Sequence, residues 1–257
     1  MTDHVKTECD AGILTVTLSR ADKKNALTNA MYGALADALG RAESDPAIRV
    51  VLLQGEGDSF TAGNDLSDFS AQSRGEHQGE RHVLRFLNAL ASATRPLVAA
   101  VQGNAVGVGT TMLLHCDLVY VADSARLSTP FVNLALVPEA ASSLLMPARI
   151  GYARAFAMFA LGEVIDGAGA AALGLANAVV PSAELHARAR AAAVALSRRP
   201  LGALAATKRL MRDAAVIGGQ MDREGVIFQE RLKSAEAREA FAAFAERRQP
   251  DFSKLAG

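Results

Sequence analysis

Between Ile13 and Leu18, apolar residues alternate with Thr15 and Thr17, and Gly12 marks a turn just ahead of them. That period of two predicts a half-buried strand. The period then lengthens: Leu27, Met31, Leu35 and Leu39 recur every four residues around Thr28, a side chain suited to a helix N-cap. An amphipathic helix to about Ala42 is expected, with this stripe inward. Three short apolar runs follow, VVLLQG from Val50, PLVAAVQG from Pro96 and LVYVAD from Leu118, each bounded by Gly, Pro or Asp. They predict strands buried on both faces, and the helical patterns between them predict parallel pairing through crossovers. From about Ser182 the chain turns rich in Ala, Arg and Glu at helical spacing, without further strand patterns. Pro200 suits the first turn of a helix with Leu201, Leu204, Lys208 and Met211 on one face, and Gly218-Gly219 should break it. Two more helices are expected over 221–233 and 235–248. The predicted organisation is an α/β core over 1–195 and a helical region over 196–257, with no Pro-, Gly- or Ser-rich linker between them.

Composition narrows the function classes. The chain has 257 residues, half of them hydrophobic, enough for a substantial core. Lys plus Arg and Asp plus Glu both total 27, so the formal net charge is zero and a nucleic-acid or anionic-membrane partner is not expected. Cys9 and Cys116 stand far apart, which indicates neither a disulfide framework nor a zinc site. No apolar run approaches the length of a membrane span, and the N-terminus lacks the basic and apolar regions of a signal peptide. A soluble, cytoplasmic protein is expected. The Ser-Lys-Leu at 253–255 is followed by Ala256 and Gly257, so it is not counted as a peroxisomal signal.

Two glycine-containing stretches each follow a buried strand, GDSFTAGNDLSDF from Gly57 and GNAVGVGTTMLLHCD from Gly103. Glycine after a strand lets backbone amides point at a ligand, and two such turns could meet at one oxygen; two ordinary strand-to-helix turns would look the same. Neither stretch matches G-x-G-x-x-G or a P-loop, and no G-x-S-x-G elbow exists around Ser59. One acid stands out. Glu139 lies in LALVPEAASSLLMP, either in the first turn of a surface helix after Pro138 or buried among apolar neighbours.

The motifs FTAGNDL, GNAVGVG and STPFVNLALVPEAASSLLMPARIG, in this order and spacing, resemble the crotonase (enoyl-CoA hydratase/isomerase) superfamily over nearly the whole chain. Within it the likeness is closest to the peroxisomal-type Δ3,Δ2-enoyl-CoA isomerases. The resemblance implies an α/β spiral of ββα units with a helical C-terminal trimerisation region, assembled as a homotrimer or a dimer of trimers. It implies an acyl-CoA thioester as substrate, with coenzyme A carried by that substrate and no separate cofactor or metal. The oxyanion hole for the thioester carbonyl then falls on the backbone amides of Asn64 and Val108. Val108 departs from the glycine common at that position, so its backbone must reach the required angle without glycine's freedom.

Hydratases of this superfamily use two glutamates, and the matching positions here hold Thr111 and Phe131, neither a usable acid or base. A single-base isomerase needs less, and the resemblance puts Glu139 at that base; an apolar setting would raise its pKa. Asp65, Asp68 and Glu56 are the other acids that could serve, although Asp65 also suits a helix N-cap. For the coenzyme A moiety the resemblance implies Arg20, Lys24, Ala26, Ala62, Asp65 and Leu66. Arg20, Lys23 and Lys24 either meet phosphates or are simply solvated. Phe131, Leu134 and Leu136 either wall an acyl tunnel or pack the core. Phe244, Arg247 and Arg248 are candidates to reach the coenzyme A of a neighbouring subunit. His82 and His115 read as structural. Three functions follow in order: an enoyl-CoA isomerase moving a double bond from C3 to C2, a 2-enoyl-CoA hydratase, and a non-catalytic acyl-CoA-binding or scaffolding protein.

Overall fold

The structure, a computed structural model, describes residues 2–65 and 80–255; Leu66 and Asp68 lie outside them. Strands β1 (Val5–Asp10), β2 (Ile13–Leu18), β3 (Val50–Gly55), β4 (Leu97–Val101), β6 (Leu118–Ala122) and β9 (Ala178–Val180) form one sheet in the order β1-β2-β3-β4-β6-β9. Every pairing from β2 onward is parallel. A second sheet sets β5 (Asn104–Val106) beside β7 (Arg126–Ser128) and β8 (Ile165–Asp166).

Strand β1 was not expected, because its sequence VKTECD leaves five of six residues exposed. It pairs antiparallel to β2 from Val5↔Leu18 to Asp10↔Ile13, with Val5 packed against the core and ion pairs from Lys6 to Glu56 and from Asp10 to Arg190. The connecting Ala11 and Gly12 both take positive φ, 51° and 76°, the geometry that matches a two-residue hairpin to strand twist.

The expected double burial of the central strands is found. Leu14, Val16, Val51, Leu53, Ala99, Val101, Val119 and Val121 face the main core, while Ile13, Val50, Leu52, Val98, Ala100 and Tyr120 face the opposite side. The second face is closed by α7 (Leu185–Ser197), whose Leu185, Ala189 and Ala193 are fully buried. On the first face lie α1 (Asn29–Ser44) and α2 (His82–Ser92). The stripe Leu27, Met31, Leu35 and Leu39 is buried as expected, and the Thr28 side chain accepts from the Met31 amide at 3.3 Å.

Among the described residues the remaining α-helices are α3 (Val108–Thr111), α4 (Ser142–Ile150), α5 (Tyr152–Leu161), α6 (Gly167–Ala172), α8 (Leu201–Met211), α9 (Ala214–Leu232) and α10 (Ala235–Ala245). Two expectations need correction. Pro200 is the residue before α8, not its first. Gly218 and Gly219 do not end a helix: α9 runs through both, because Ile217, Met221, Phe228 and Leu232 pack on one side and outweigh the glycines' poor propensity.

No atom lies within 4 Å of a Cβ built on Gly218 or Gly219, and neither has positive φ. Gly218→Ala and Gly219→Ala should therefore each raise unfolding stability by ~0.5–1 kcal/mol in denaturant titrations. Destabilisation by both would mean that the helix is interrupted there.

Candidate active site

Gly63 and Gly107 are the two positions where backbone geometry shapes the site. Gly63 has φ 86°, and a Cβ there would sit 2.7 Å from the Val106 carbonyl oxygen. Its turn is pinned on one side where Leu27 donates to the Gly63 carbonyl at 2.8 Å, and on the other where the Val106 amide donates to the Thr61 carbonyl at 3.1 Å. Gly107 takes φ 57°, turning the chain from β5 into α3 so that Val108 opens the helix with an ordinary negative φ. The residue before it carries the unusual angle, and Val108 needs none of glycine's freedom. Val108 is fully buried at the helix start. The amides of Asn64 and Val108 have no acceptor among the described residues.

Buried Asn25, at φ 55°, ties the first of these turns to the rest. Its side chain donates to the carbonyls of Glu56 and Ser59 at 2.8 and 2.9 Å and accepts from the Arg20 amide at 2.8 Å. Tyr32 on α1 reaches the same turn, its hydroxyl donating to Asn64 Oδ1. Burial, helped by the nearby Glu139 carboxylate, lifts the Tyr32 phenol well above its ordinary range, so it stays a donor.

Glu139 follows Pro138 in the segment that leads to α4. Its Oε1 is buried and has no partner among the described residues. Burial first, and the neighbouring Glu224 carboxylate second, push its pKa up to about 7. The next two residues are strained: Ala140 and Ala141 take φ 61° and 55°, left-handed angles that cost ~1–2 kcal/mol each outside glycine. Two side chains hold them. His115 Nε2 donates to the Ala140 carbonyl at 2.8 Å, and Glu224 Oε2 accepts from the Ala141 amide at 2.6 Å. His115 is fully buried and its pKa is pulled down to about 3 by burial and by Arg212, so it is neutral: Nδ1 accepts from Arg212 while Nε2 donates.

Two cavities meet around Asn64. One, of about 170 Å³, is lined by Tyr32, Asn64, Glu139, Glu224, Met221 and Phe228 among others. The larger, of about 1090 Å³, brings together Arg20, Ala26, Ala62, Asn64, Asp65, Phe131, Leu134, Phe244 and Arg248. Asn64, Asp65 and Phe228 wall both.

The family model for enoyl-CoA hydratase/isomerase matches residues 8–255. The chain belongs to the enoyl-CoA hydratase/isomerase family. It is 33% identical to a probable enoyl-CoA hydratase of Rhodobacter capsulatus, covering 97% of both chains. It is 34% identical to enoyl-CoA delta isomerase 2 of Rattus norvegicus over 79% of this chain and 53% of that one. The crystal structure of an enoyl-CoA hydratase/isomerase from Pseudoalteromonas atlantica superposes with a TM-score of 0.92 at 43% identity, covering 97% of this chain and all of that one. The crotonase fold, with its mixed α/β body and C-terminal helices, is therefore the architecture of this chain.

Within this family fold, Thr111 is fully buried with its hydroxyl unpartnered among the described residues, and Phe131 packs its ring 6.1 Å from Phe159. Not every expected contact residue reaches a cavity. Lys24 and Arg247 are exposed and line neither; Leu66 lies outside the described residues. Arg20 is committed to Asp65 at 2.6 Å and to the Ala26 carbonyl at 3.0 Å, so it is a strut of the loop more than a free cation. Arg248 is likewise held by Glu239 and Glu246, and it keeps the Glu239 carboxyl down at about 2. Asn25, Tyr32, His115 and Glu224 were not singled out as site residues. Glu224 carried one readable signal, an acid at the helical spacing of Ile217, Met221, Phe228 and Leu232.

Raising a carboxyl pKa above its unfolded value of 4.5 to about 7 means that the folded state binds the proton more tightly. The stability this lends is full below pH 4.5 and is lost as pH rises through 7. Glu139→Gln should therefore be more stable than the parent at pH 8, by on the order of 1–3 kcal/mol, and nearly equal to it at pH 4. A stability difference that does not change with pH would refute a buried, titrating Glu139.

Proposed function

We propose that this family member is a Δ3,Δ2-enoyl-CoA isomerase in which Glu139 is the single proton-shuttling base. The observation that carries the reading is the buried, unpartnered Oε1 of Glu139 on the cavity beside Asn64. A base that must take a proton and return it works best when its pKa lies near the working pH, and about 7 meets that condition. The ionised Glu139 takes a proton from C2 of a 3-enoyl thioester. Negative charge then spreads over the dienolate to the carbonyl oxygen, where the amides of Asn64 and Val108 donate. Removing one donor of this kind elsewhere costs roughly 10²–10³ in rate. The protonated Glu139 returns the proton to C4, and the double bond has moved from C3 to C2. Coenzyme A enters as part of the substrate, and the shuttle calls for no further group.

Arg20, Ala26, Ala62, Asp65, Phe131, Leu134, Phe244 and Arg248 are the residues we assign to the coenzyme A and acyl side, because they share the larger cavity. Hydration is the weaker reading for this chain, since Thr111 and Phe131 offer no second acid or base to activate water. Leu210, Met211, Val226, Ile227 and Phe244 leave apolar side chains exposed on α8, α9 and α10, which supports self-association through the helical region as a homotrimer or dimer of trimers. Among the described residues no helix is long and apolar enough to cross a membrane.

Incubation with 3-enoyl-CoA should give trans-2-enoyl-CoA without water addition, with kcat/KM falling below about pH 7 as Glu139 protonates. Glu139→Gln should lower that rate by ~10²–10⁴ while coenzyme A ester binding persists. Rapid formation of 3-hydroxyacyl-CoA from trans-2-enoyl-CoA would establish a hydratase instead, and no reaction with either ester would favour a binding role.

A further inference from the structure

Glu224 is a second carboxylate at the same cavity, contributed by α9 more than eighty residues downstream, and it is only 6% exposed. Three donors converge on it. The Ala141 amide reaches Oε2 at 2.6 Å, while the Ser143 amide and hydroxyl reach Oε1 at 2.9 and 2.5 Å. Gln220 Nε2 donates to Ser143 Oγ at 2.8 Å, which leaves the Ser143 hydroxyl hydrogen free to point at Glu224. Every group in this chain therefore donates towards Glu224, as an ionised carboxylate requires. No such donor meets the buried Oε1 of Glu139.

We propose that Glu224 is the positioning residue of the Glu139 base: it clamps the strained 140–143 turn and holds a fixed negative charge beside Glu139. This rests on the reading of Glu139 as the base. Burial pushes both carboxyls up, but the Ser143 and Ala141 donors pull Glu224 back and no donor does so for Glu139, so Glu224 is the one that keeps the charge and Glu139 carries the mobile proton. The other titratable groups around Glu139 do not substitute for it. Tyr32 from α1 stays neutral, and Asp65 in the 61–65 turn is paired with Arg20. Arg81 ahead of α2 and Asp222 of α9 line the same cavity, and His115 behind Ala140 is neutral. Burial alone would lift Glu139; the charge on Glu224 lifts it further.

The test is the titration of Glu139, read both from the acidic limb of kcat/KM for 3-enoyl-CoA and from the carboxyl ¹³C shifts of glutamate-labelled protein, with the Glu139 signal identified by its loss in Glu139→Gln. Glu224→Gln should move the titration down by about one pH unit, as expected for losing a close like charge. Glu224→Asp, which keeps the charge on a shorter stem, should return it toward the parental value while leaving kcat reduced. Should Glu224→Gln fail to fold, the Glu224 carboxyl signal of the parent, identified by its change in Glu224→Asp, takes its place: it should report an ionised carboxylate across the pH range in which Glu139 titrates. A Glu139 titration unmoved in folded Glu224→Gln, or a Glu224 signal that is protonated where Glu139 titrates, overturns the proposal. If the parent makes no trans-2-enoyl-CoA but the carboxyl titration still moves, the isomerase reading fails and the positioning of Glu139 by Glu224 stands.

Discussion

Two consecutive alanines, Ala140 and Ala141, sit at left-handed angles directly after Glu139. Left to itself such a turn would relax, since it costs ~1–2 kcal/mol per residue. It persists because distant parts of the chain hold both residues: His115, behind the second glycine turn, grips the Ala140 carbonyl, and Glu224 of the C-terminal helix grips the Ala141 amide. Strain of this kind is maintained where a structure needs a side chain in one place. Here the side chain is a carboxyl with a bare, buried oxygen. The site is thus assembled from both ends of the fold, with the sheet contributing the amides and the helical region contributing the clamp.

The sheet acts as a chassis for the two amides proposed as donors. Strands β3 and β4 pair in parallel and lead into the segments that carry Gly63 and Gly107, the second by way of β5, and the bridge from Thr61 to Ala105 of β5 brings those segments together. Burial of the central strands on both faces, by the main core on one side and α7 on the other, leaves little freedom for either turn to drift. Asn25 and the Arg20–Asp65 pair lock the preceding loop against the first turn. Rigid elements behind short turns are what a preorganised pair of donors requires, because donors that must reorganise during reaction lose most of their effect.

Much of this was legible in the residues. The period of four through Leu27, Met31, Leu35 and Leu39 and the doubly apolar runs at Val50, Leu97 and Leu118 announce elements whose burial decides their form. Motif resemblance pointed to Glu139 and the two amides as the proposed base and donors, which no periodicity could have done. What stayed hidden depends on long-range partners. Strand β1 has no apolar pattern and exists by pairing with β2; the Gly218-Gly219 pair looks like a break until the packed face of α9 is seen. Lys24 and Arg247 are basic residues in the right stretches of sequence whose side chains stay in solvent, and Arg20 and Arg248 find carboxylates of this chain first. Glu224 shares the helical spacing of Ile217, Met221, Phe228 and Leu232, which hints that it faces inward, but its partners at Ala141 and Ser143 are seen only in the fold.

In the proposed isomerisation one carboxyl carries the same proton from C2 to C4 inside a cavity that shelters it. The most direct measurement follows the label in 3-enoyl-CoA deuterated at C2, turned over in ordinary water and sampled in the first turnovers. A shuttle through buried Glu139 predicts that part of the deuterium appears at C4 of the trans-2-enoyl product. If C4 carries only solvent hydrogen from the first turnover onward, the two transfers use different or solvent-open groups, and the single-base account is wrong.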